Sequence, residues 1–323
     1  MAKMKYATVH GVANPVSRLF FGCATPKMLA GENVDPLLEA AYNSGITAFD
    51  TARNYGSSEV SLGHWLQTSG RRGNIVLLSK CAHHDIDTGR KRVTPQDIRE
   101  DLAVSLSNLQ TDFIDIYLLH RDDPGVPVGP IVEVLNELHT NGSIGVFGGS
   151  NWSHQRIAEA NEYAYKHNLL PFSVSSPNFG LAEQVKDPWG GGCVTISGRE
   201  NADAREWYRQ NQMPVIAYSS LGRGLFSGLV KSGEAQQATR FMDAPAMEGY
   251  ASPDNFERLR RAEELAAQKG CTVAQIALAW IFHQTLNVFA VFSTTNPARI
   301  EQNILALDVP LTQQEALYLN LQA

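Results

Sequence analysis

Four side chains suited to acid–base chemistry stand at or just after the ends of short apolar runs. Asp50 ends the run 46–50, Lys80 ends the run 75–80, and His120 ends the run 113–120. Tyr55 follows a few residues after Asp50. In a parallel α/β barrel the C-terminal ends of the strands converge on one face, where active sites are built. A nearby lysine can lower the pKa of a tyrosine toward the working pH, so the pattern indicates a general acid.

Each of these residues also has a structural explanation when it is taken alone. Asp50 could cap a helix or a loop, and Tyr55 could be packed with its hydroxyl satisfied. Lys80 could be a solvated strand end, and His120 a satisfied core histidine. The joint pattern favours a functional site over these four separate explanations.

The elements that must position these side chains alternate regularly along the chain. Counting from Leu19 gives eight strand–helix pairs, the number that closes a barrel of parallel strands joined by right-handed crossovers. Strands are predicted at 16–22, 48–50, 75–80, 113–120, 144–149, 172–176, 215–219 and 288–292. Helices are predicted at 35–44, 58–69, 94–109, 130–140, 153–167, 203–211, 254–269 and 272–284, and from Asn296-Pro297. The sequence therefore predicts an α/β fold, a (β/α)8 TIM barrel forming a single domain over residues 1–323.

Further features are predicted around this barrel. Residues 5–9 and 16–18 flank a Gly/Pro turn and indicate an N-terminal β-hairpin, and residues 311–323 indicate a C-terminal helix. Asp35 is predicted to cap its helix, with Pro36 at the first helical position. The segments 181–200 and 231–253 are predicted to be long loops, which are usually functional or mobile.

Composition narrows the possible partners and compartment. The chain has 323 residues, 43% of them hydrophobic, and a net charge of -6 without a basic block, which argues against nucleic acid and anionic membranes as partners. No apolar run approaches a membrane span, and the first residues lack the apolar region of a signal peptide. Four scattered cysteines without a C-x-x-C motif favour reduced thiols, and hence the cytoplasm, over disulfides or a zinc site.

Several motifs together resemble the aldo-keto reductase superfamily over essentially the whole chain. They are Asp-Thr-Ala-x-x-Tyr-Gly at 50–56, the strand-end Lys80, Leu-Leu-His-Arg at 118–121 and Gly-Ser-Asn at 149–151, and they occur in the family's order. The resemblance implies a (β/α)8 barrel that binds NADP(H) and reduces aldehydes and ketones to alcohols, reversibly. It also implies a catalytic tetrad of Asp50, Tyr55, Lys80 and His120. In the mechanism that the resemblance implies, the nicotinamide gives hydride to the carbonyl carbon. Tyr55 donates a proton, and His120 donates a hydrogen bond, to the carbonyl oxygen. Lys80 lowers the pKa of Tyr55, and Asp50 orients Lys80.

The same resemblance implies a set of cofactor-binding positions, with one departure from the family. The set comprises Gly22, Ser150, Asn151, Ser176, Tyr218, Ser219, Leu221, Arg223, Gly224, Ser293, Thr294, Thr295, Arg299, Gln302 and Asn303. Ser176 stands where the family usually has a glutamine, and its shorter side chain leaves room beside the nicotinamide carboxamide for a water or for a neighbour such as Asn178. Some members carry a lysine where this chain has Ser293, so NADPH preference is expected to be moderate, with some NADH use. The Gly-rich stretch 222–228 has the wrong spacing for a Rossmann phosphate loop.

Substrate contacts are predicted from position alone. Met28, Asn54 and Trp152 follow the C-terminal ends of candidate strands, although Trp152 could instead pack against the barrel top. The loop 187–192 could be a substrate lid or an ordinary surface turn. His83-His84-Asp85-Ile86-Asp87 crowds possible metal ligands into one loop without a distant partner, so no metal site is predicted and the loop is expected to rim the substrate mouth.

Two other classes of function remain compatible with the sequence. A barrel of the same superfamily could bind NADPH as a redox-sensing regulatory subunit with little turnover, as potassium-channel β subunits do. A barrel isomerase or lyase would bind no nicotinamide at all.

Overall fold

Eight parallel strands form a closed barrel in the computed structural model, which describes residues 3–322. The strands are β1 (Tyr6–Ala7), β2 (Val16–Ser17), β3 (Leu19–Gly22), β4 (Ala48–Asp50), β5 (Val76–Cys81), β6 (Ile114–Leu119), β7 (Ile144–Ser150), β8 (Val174–Ser176), β9 (Val215–Ala217) and β10 (Val288–Phe292). Strands β1 and β2 form a short antiparallel hairpin that precedes the barrel, and the order around the barrel is β10-β3-β4-β5-β6-β7-β8-β9. The predicted barrel and hairpin are confirmed, with hairpin strands shorter than expected.

Twelve α-helices are described within residues 3–322. They are α1 (Pro26–Leu29), α2 (Asp35–Asn43), α3 (Ser58–Ser69), α4 (Pro95–Leu109), α5 (Val128–Thr140), α6 (His154–Lys166), α7 (Ala202–Gln210), α8 (Ala244–Tyr250), α9 (Pro253–Lys269), α10 (Val273–His283), α11 (Pro297–Ile304) and α12 (Gln313–Leu319). Helix α12 confirms the predicted C-terminal helix, although residue 323 lies outside the described residues. Taken singly, none of these helices has the length and apolarity to cross a membrane; α9 and α10, bent by 100° at their junction, meet those criteria only as a pair.

Residue contacts divide the chain into two compact units, which are described separately. The first unit comprises residues 6–176 and 293–297, and the second comprises residues 3–5, 177–292 and 298–322. In the first unit, neighbouring strands align their C-terminal ends, with Gly22 opposite Asp50 and Ser150 opposite Ser176. Every residue of β3 to β8 is buried, as expected of parallel strands.

Local sequence explains most helix starts in the first unit, with one correction. Thr94 caps α4 by accepting from the Asp97 N–H, and Pro95 occupies the first turn, as predicted. The cap of α2 is Val34 rather than Asp35. The Asp35 carboxylate instead contacts the side chains of His64 and Thr68 on α3, so it links two helices and caps neither.

The segment 231–253 of the second unit is not the irregular loop that the sequence predicted. It contains a 3-10 helix at Ser232–Arg240 followed by α8. Asp243 caps α8 by accepting from the Ala246 N–H, and a proline lies in the first turn. This cap-and-proline signature was the signal that could have predicted the helix.

Candidate active site

The strand ends of the first unit bring Asp50, Tyr55, Lys80 and His120 together. Lys80 Nζ donates to Asp50 Oδ1 at 2.5 Å and to the Thr51 carbonyl at 2.9 Å. Lys80 is 3% exposed and Asp50 6% exposed, so this ion pair is almost completely buried. Breaking a buried pair by removing one partner leaves an uncompensated charge. The pair is therefore a fixed part of the cluster.

Burial and the partner's charge shift the pKa of each member of this ion pair in opposite directions. Burial lowers the pKa of Lys80, but the negative charge of Asp50 and the interactions with Asp50 and Tyr55, including hydrogen bonds, outweigh burial and raise that pKa from its usual value. Burial raises the pKa of Asp50, and Lys80 opposes the rise. Lys80 is consequently a cation at neutral pH.

Tyr55 lies against both the lysine and the histidine. Lys80 Nζ is 4.9 Å from the centroid of the Tyr55 ring, and the His120 ring contacts it edge-on at 5.4 Å. Burial raises the pKa of Tyr55, and the charge of Lys80 lowers it. The lysine contribution has the predicted sign, but burial dominates and the net pKa is above 10.0. Tyr55 is thus protonated at neutral pH, as a proton donor must be.

His120 is 7% exposed and uncharged at neutral pH. Burial lowers its pKa well below 6.5, and the charges of Lys80 and Arg121 lower it further. Its Nδ1 has no hydrogen-bond partner among residues 3–322. A buried N–H without an acceptor costs free energy, so we assign the proton to Nε2. The ring can then donate a hydrogen bond from Nε2.

A serine and an asparagine at the end of β7 are held next to this cluster. Ser150 Oγ donates to the Ser176 carbonyl at 3.0 Å. Asn151 Nδ2 donates to the His120 carbonyl at 3.1 Å, and Asn151 has a left-handed backbone with φ 60°. Both side chains are buried, so they present fixed polar groups beside β8.

The three predicted substrate residues differ in accessibility. Asn54 is half-buried, and its Oδ1 has no partner among residues 3–322. Met28 and Trp152 have no exposed surface. The Trp152 indole donates to the Arg121 carbonyl at 3.1 Å, and its ring lies 5.2 Å from that of Phe172. This geometry favours the packing alternative for Trp152, while substrate contact stays a prediction for all three.

A glycine makes room for the Trp152 ring. A Cβ added to Gly149 would lie 2.4 Å from Trp152 Cγ, far closer than van der Waals contact. The ring therefore packs directly on the β7 backbone.

Replacing Trp152 with alanine should lower the free energy of unfolding by about 3–5 kcal/mol, the usual cost of deleting a fully buried large aromatic side chain. Trp152→Phe keeps most of the ring and should cost less. Urea denaturation measures both, with the half-buried Trp207→Ala as a control of smaller effect. If Trp152 also touches substrate, the ranking of aldehydes will change in Trp152→Phe. An unfolding free energy of Trp152→Ala close to that of the parent would contradict the packing role.

The predicted cofactor residues of the second unit surround a tryptophan. The Arg223 guanidinium lies 4.8 Å from the Trp189 ring centroid and forms an ion pair with Asp243 at 2.6 Å. Tyr218 contacts Trp189 edge-on at 6.0 Å. Because Arg223 already has a carboxylate partner, its predicted contact with pyrophosphate would have to compete with Asp243. The neighbouring backbone is left-handed at Ser219 and Gly224, and Leu221 leads into a 3-10 turn at Gly222–Gly224.

Asn178 is not available to replace the missing glutamine. Its Nδ2 donates to the Tyr250 hydroxyl at 2.9 Å, and its Oδ1 accepts from Thr195 Oγ1 at 2.9 Å.

The loop 187–192 is held by Asp187, which accepts from the N–H groups of Trp189 and Cys193. An ordered turn of this kind is compatible with either a lid or a surface turn.

The segment after β10 offers hydroxyls and one cation. Ser293 Oγ donates to the Gly22 carbonyl at 2.8 Å, and Thr294 Oγ1 accepts from the Asn296 N–H at 3.1 Å. Thr295 is exposed, Asn303 is buried, and the Gln302 carbonyl accepts from Gln275 Nε2. Arg299 is half-buried on α11 and has no ion-pair partner among residues 3–322.

Sequence reasoning placed His83 in the loop expected to rim the substrate mouth and Arg121 in the 118–121 motif, but it missed that both act on His120. The ring of His83 contacts it edge-on, and the charge of Arg121 lowers its pKa. His83 comes three residues after Lys80 and Arg121 directly after His120, and these positions were the available signal. No cluster of three or more possible metal ligands occurs within residues 3–322.

Comparison with known proteins identifies the class of this barrel. The model of the Aldo/keto reductase family matches residues 18–320, and the chain belongs to that family. The chain is 29% identical to "Aldo-keto reductase str7" from Strobilurus tenacellus over 280 aligned residues. These aligned residues make up 86% of this chain and 77% of that protein. The family consists of oxidoreductases that reduce small carbonyl compounds and generally bind nicotinamide cofactors. The predicted resemblance is thereby confirmed.

Proposed function

We propose that this protein reduces aldehydes and ketones to alcohols with NADPH, using Tyr55 as the general acid. The observation that carries the proposal is the cluster in which Tyr55 contacts both the buried Lys80–Asp50 pair and the His120 ring. A bound nicotinamide would supply the hydride. Residues 1–323 would act as a single domain, which the family match across 18–320 supports.

The proposed roles follow from the protonation states. Reduction places negative charge on the carbonyl oxygen, and a positioned acid and hydrogen-bond donor stabilise it. Tyr55 would give its phenolic proton to that oxygen, and His120 would donate from Nε2. Lys80 would stabilise the resulting tyrosinate, and Asp50 would hold Lys80 in place. Oxidation of an alcohol would use the same groups in reverse.

Cofactor binding is proposed for the positions implied by the sequence. Arg299, a half-buried arginine on α11 without an ion-pair partner among residues 3–322, is proposed to bind the 2′-phosphate, as the resemblance implies. Tyr218 offers an aromatic face for stacking. The Ser293 hydroxyl is already bonded to Gly22, which supports only moderate preference for NADPH over NADH.

The test of the proposed function is NADPH oxidation, followed by absorbance, with a panel of aldehydes and ketones. Turnover with a defined alcohol product is expected. Tight NADPH binding without turnover would instead favour the regulatory-subunit alternative, and no binding of either cofactor would exclude both.

Arg299→Ala should lower kcat/KM with NADPH more than with NADH, by about 1.5–3 kcal/mol, because one charge-assisted contact to the 2′-phosphate is lost. Arg299→Lys should recover part of the difference by restoring the charge. Arg209→Ala, which removes an exposed arginine on α7, should leave the ratio unchanged. Equal losses with both cofactors, or a parent enzyme that prefers NADH, would contradict this role.

A further inference from the structure

A second imidazole packs directly on the candidate catalytic histidine. The His83 ring contacts the His120 ring at 4.9 Å between centroids with an interplanar angle of 79°. The His84 ring lies 4.2 Å from that of His83, and Tyr55 contacts His120 at 5.4 Å. Edge-to-face packing of this kind favours a defined mutual orientation. The two contacts together therefore fix the plane of the His120 ring.

The backbone before His83 is held in an uncommon conformation. Ala82 has a left-handed φ of 58° directly after β5. Its N–H donates to Asp101 Oδ2 on α4 at 2.9 Å, and Asp101 Oδ1 accepts from Arg92 at 2.6 Å. Such a conformation persists in a residue other than glycine when its surroundings hold it. The turn at Ala82 directs the chain from the end of the strand so that His83 reaches His120.

The His83 ring is itself fixed and uncharged. Its Nδ1 lies 2.8 Å from the His84 carbonyl, which can only accept, so we assign a proton to Nδ1. Burial lowers the pKa of His83 to about 4. At neutral pH His83 consequently carries no charge, and the charge that it gains at lower pH disfavours a second proton on His120. It can act on His120 by packing and by excluding water.

We propose that His83 is a positioning residue that orients the His120 ring and shields it from water, so that His120 remains a neutral hydrogen-bond donor. This role rests on the proposed function, since it acts through the donor to the carbonyl oxygen. It is independent of any contact between His83 and substrate.

The sign of the expected change follows from the groups that face His120. The charges of Lys80, His83, Arg121 and His84 all lower the pKa of His120, in addition to burial. Removing the His83 ring admits water and relieves part of the burial effect, which raises the pKa of His120. Because Lys80 and Arg121 remain, the pKa should stay below its ordinary value of 6.5.

The experiment compares His83→Ala with His83→Phe in the full chain. The His120 ring is titrated by NMR on protein labelled in histidine, with its signal assigned as the one absent from His120→Asn. The alanine variant should show a His120 midpoint raised by about one unit and a kcat reduced about tenfold, as a displaced catalytic group costs rate. The KM for NADPH should change little. The phenylalanine variant keeps the ring contact but has no titratable group, so its midpoint should rise less than that of the alanine variant and most of kcat should remain.

The outcomes separate this role from simple loss of structure. His10→Ala, at an exposed position, should match the parent in both measurements. An unchanged His120 midpoint in His83→Ala would overturn the proposal. If His83→Ala does not fold, a His120 midpoint raised by about one unit or more in folded His83→Phe overturns the proposal, and a smaller rise with retained kcat supports it. The titration needs no turnover, so failure of the proposed reductase activity would be recognised separately.

Discussion

Replacing Tyr55 with phenylalanine should reduce kcat by at least about 10²-fold, the scale of general acid catalysis. The substitution keeps the ring, which packs against His120 and Lys80, and removes only the proton that we assign to the carbonyl oxygen. Because the hydroxyl acts in the transition state, kcat and kcat/KM should fall together. Stopped-flow and steady-state measurements with NADPH and a small aldehyde would give both quantities.

Two controls separate loss of the acid from loss of structure in this variant. NADPH affinity, measured by fluorescence, should stay within about twofold of the parent, since the ring and the buried ion pair remain. Tyr42→Phe removes another half-buried phenolic hydroxyl, one that accepts from Asn74, and should leave kcat unchanged. A Tyr55→Phe enzyme with a kcat within a few-fold of the parent would exclude Tyr55 as the proton donor.

The raised pKa of Tyr55 also predicts the pH dependence of the parent enzyme. The acid is active in its protonated form, so reduction should be lost as the pH rises through the pKa of Tyr55. Burial places that pKa above 10.0. The rate of reduction should therefore be free of a Tyr55-dependent decline across the neutral range. A basic limb near neutrality in kcat/KM would show that the phenol titrates lower than this structure indicates.

Replacing Lys80 with methionine should have the second large effect, on rate and stability together. Loss of the cation that stabilises the tyrosinate should lower kcat by at least about tenfold. It also leaves the Asp50 carboxylate buried without a partner, and breaking such a pair destabilises by about 3–5 kcal/mol. Because Lys80 lowers the pKa of Tyr55, its removal should move any basic limb of the pH profile upward.

A double variant distinguishes the two consequences of losing Lys80. Asp50→Asn combined with Lys80→Met removes both charges, so unfolding free energy should recover relative to Lys80→Met alone. The rate should not recover, since the cation near Tyr55 is still missing. Recovery of kcat in the double variant would mean that Lys80 serves only to balance Asp50. Urea denaturation and kcat measured on the same preparations provide the comparison.

The sequence alone determined the barrel and the residues brought to its candidate site. Short apolar runs alternate with helical stretches that begin at clear caps, such as Thr94-Pro95 before α4, so the sequence encodes the strands and helices directly. Eight successive strand–helix pairs can pack in only a few ways. The strand-end placement of Asp50, Lys80 and His120 then follows, because parallel strands present their C-terminal ends on one face. The helix at Ala244–Tyr250 was encoded as well, in a cap that was overlooked.

Only the tertiary structure decided the environment of those residues. Whether Lys80 or burial controls the pKa of Tyr55 depends on how much of the phenol is desolvated, which no spacing in the sequence records. The pairing of Arg223 with Asp243 and the packing of Trp152 on Gly149 depend on side chains brought together by folding. So does the contact of His83 with His120, which requires the left-handed turn held by Asp101. Local propensity fixes which elements form, whereas burial, charge and ring contacts between elements exist only after the chain has packed.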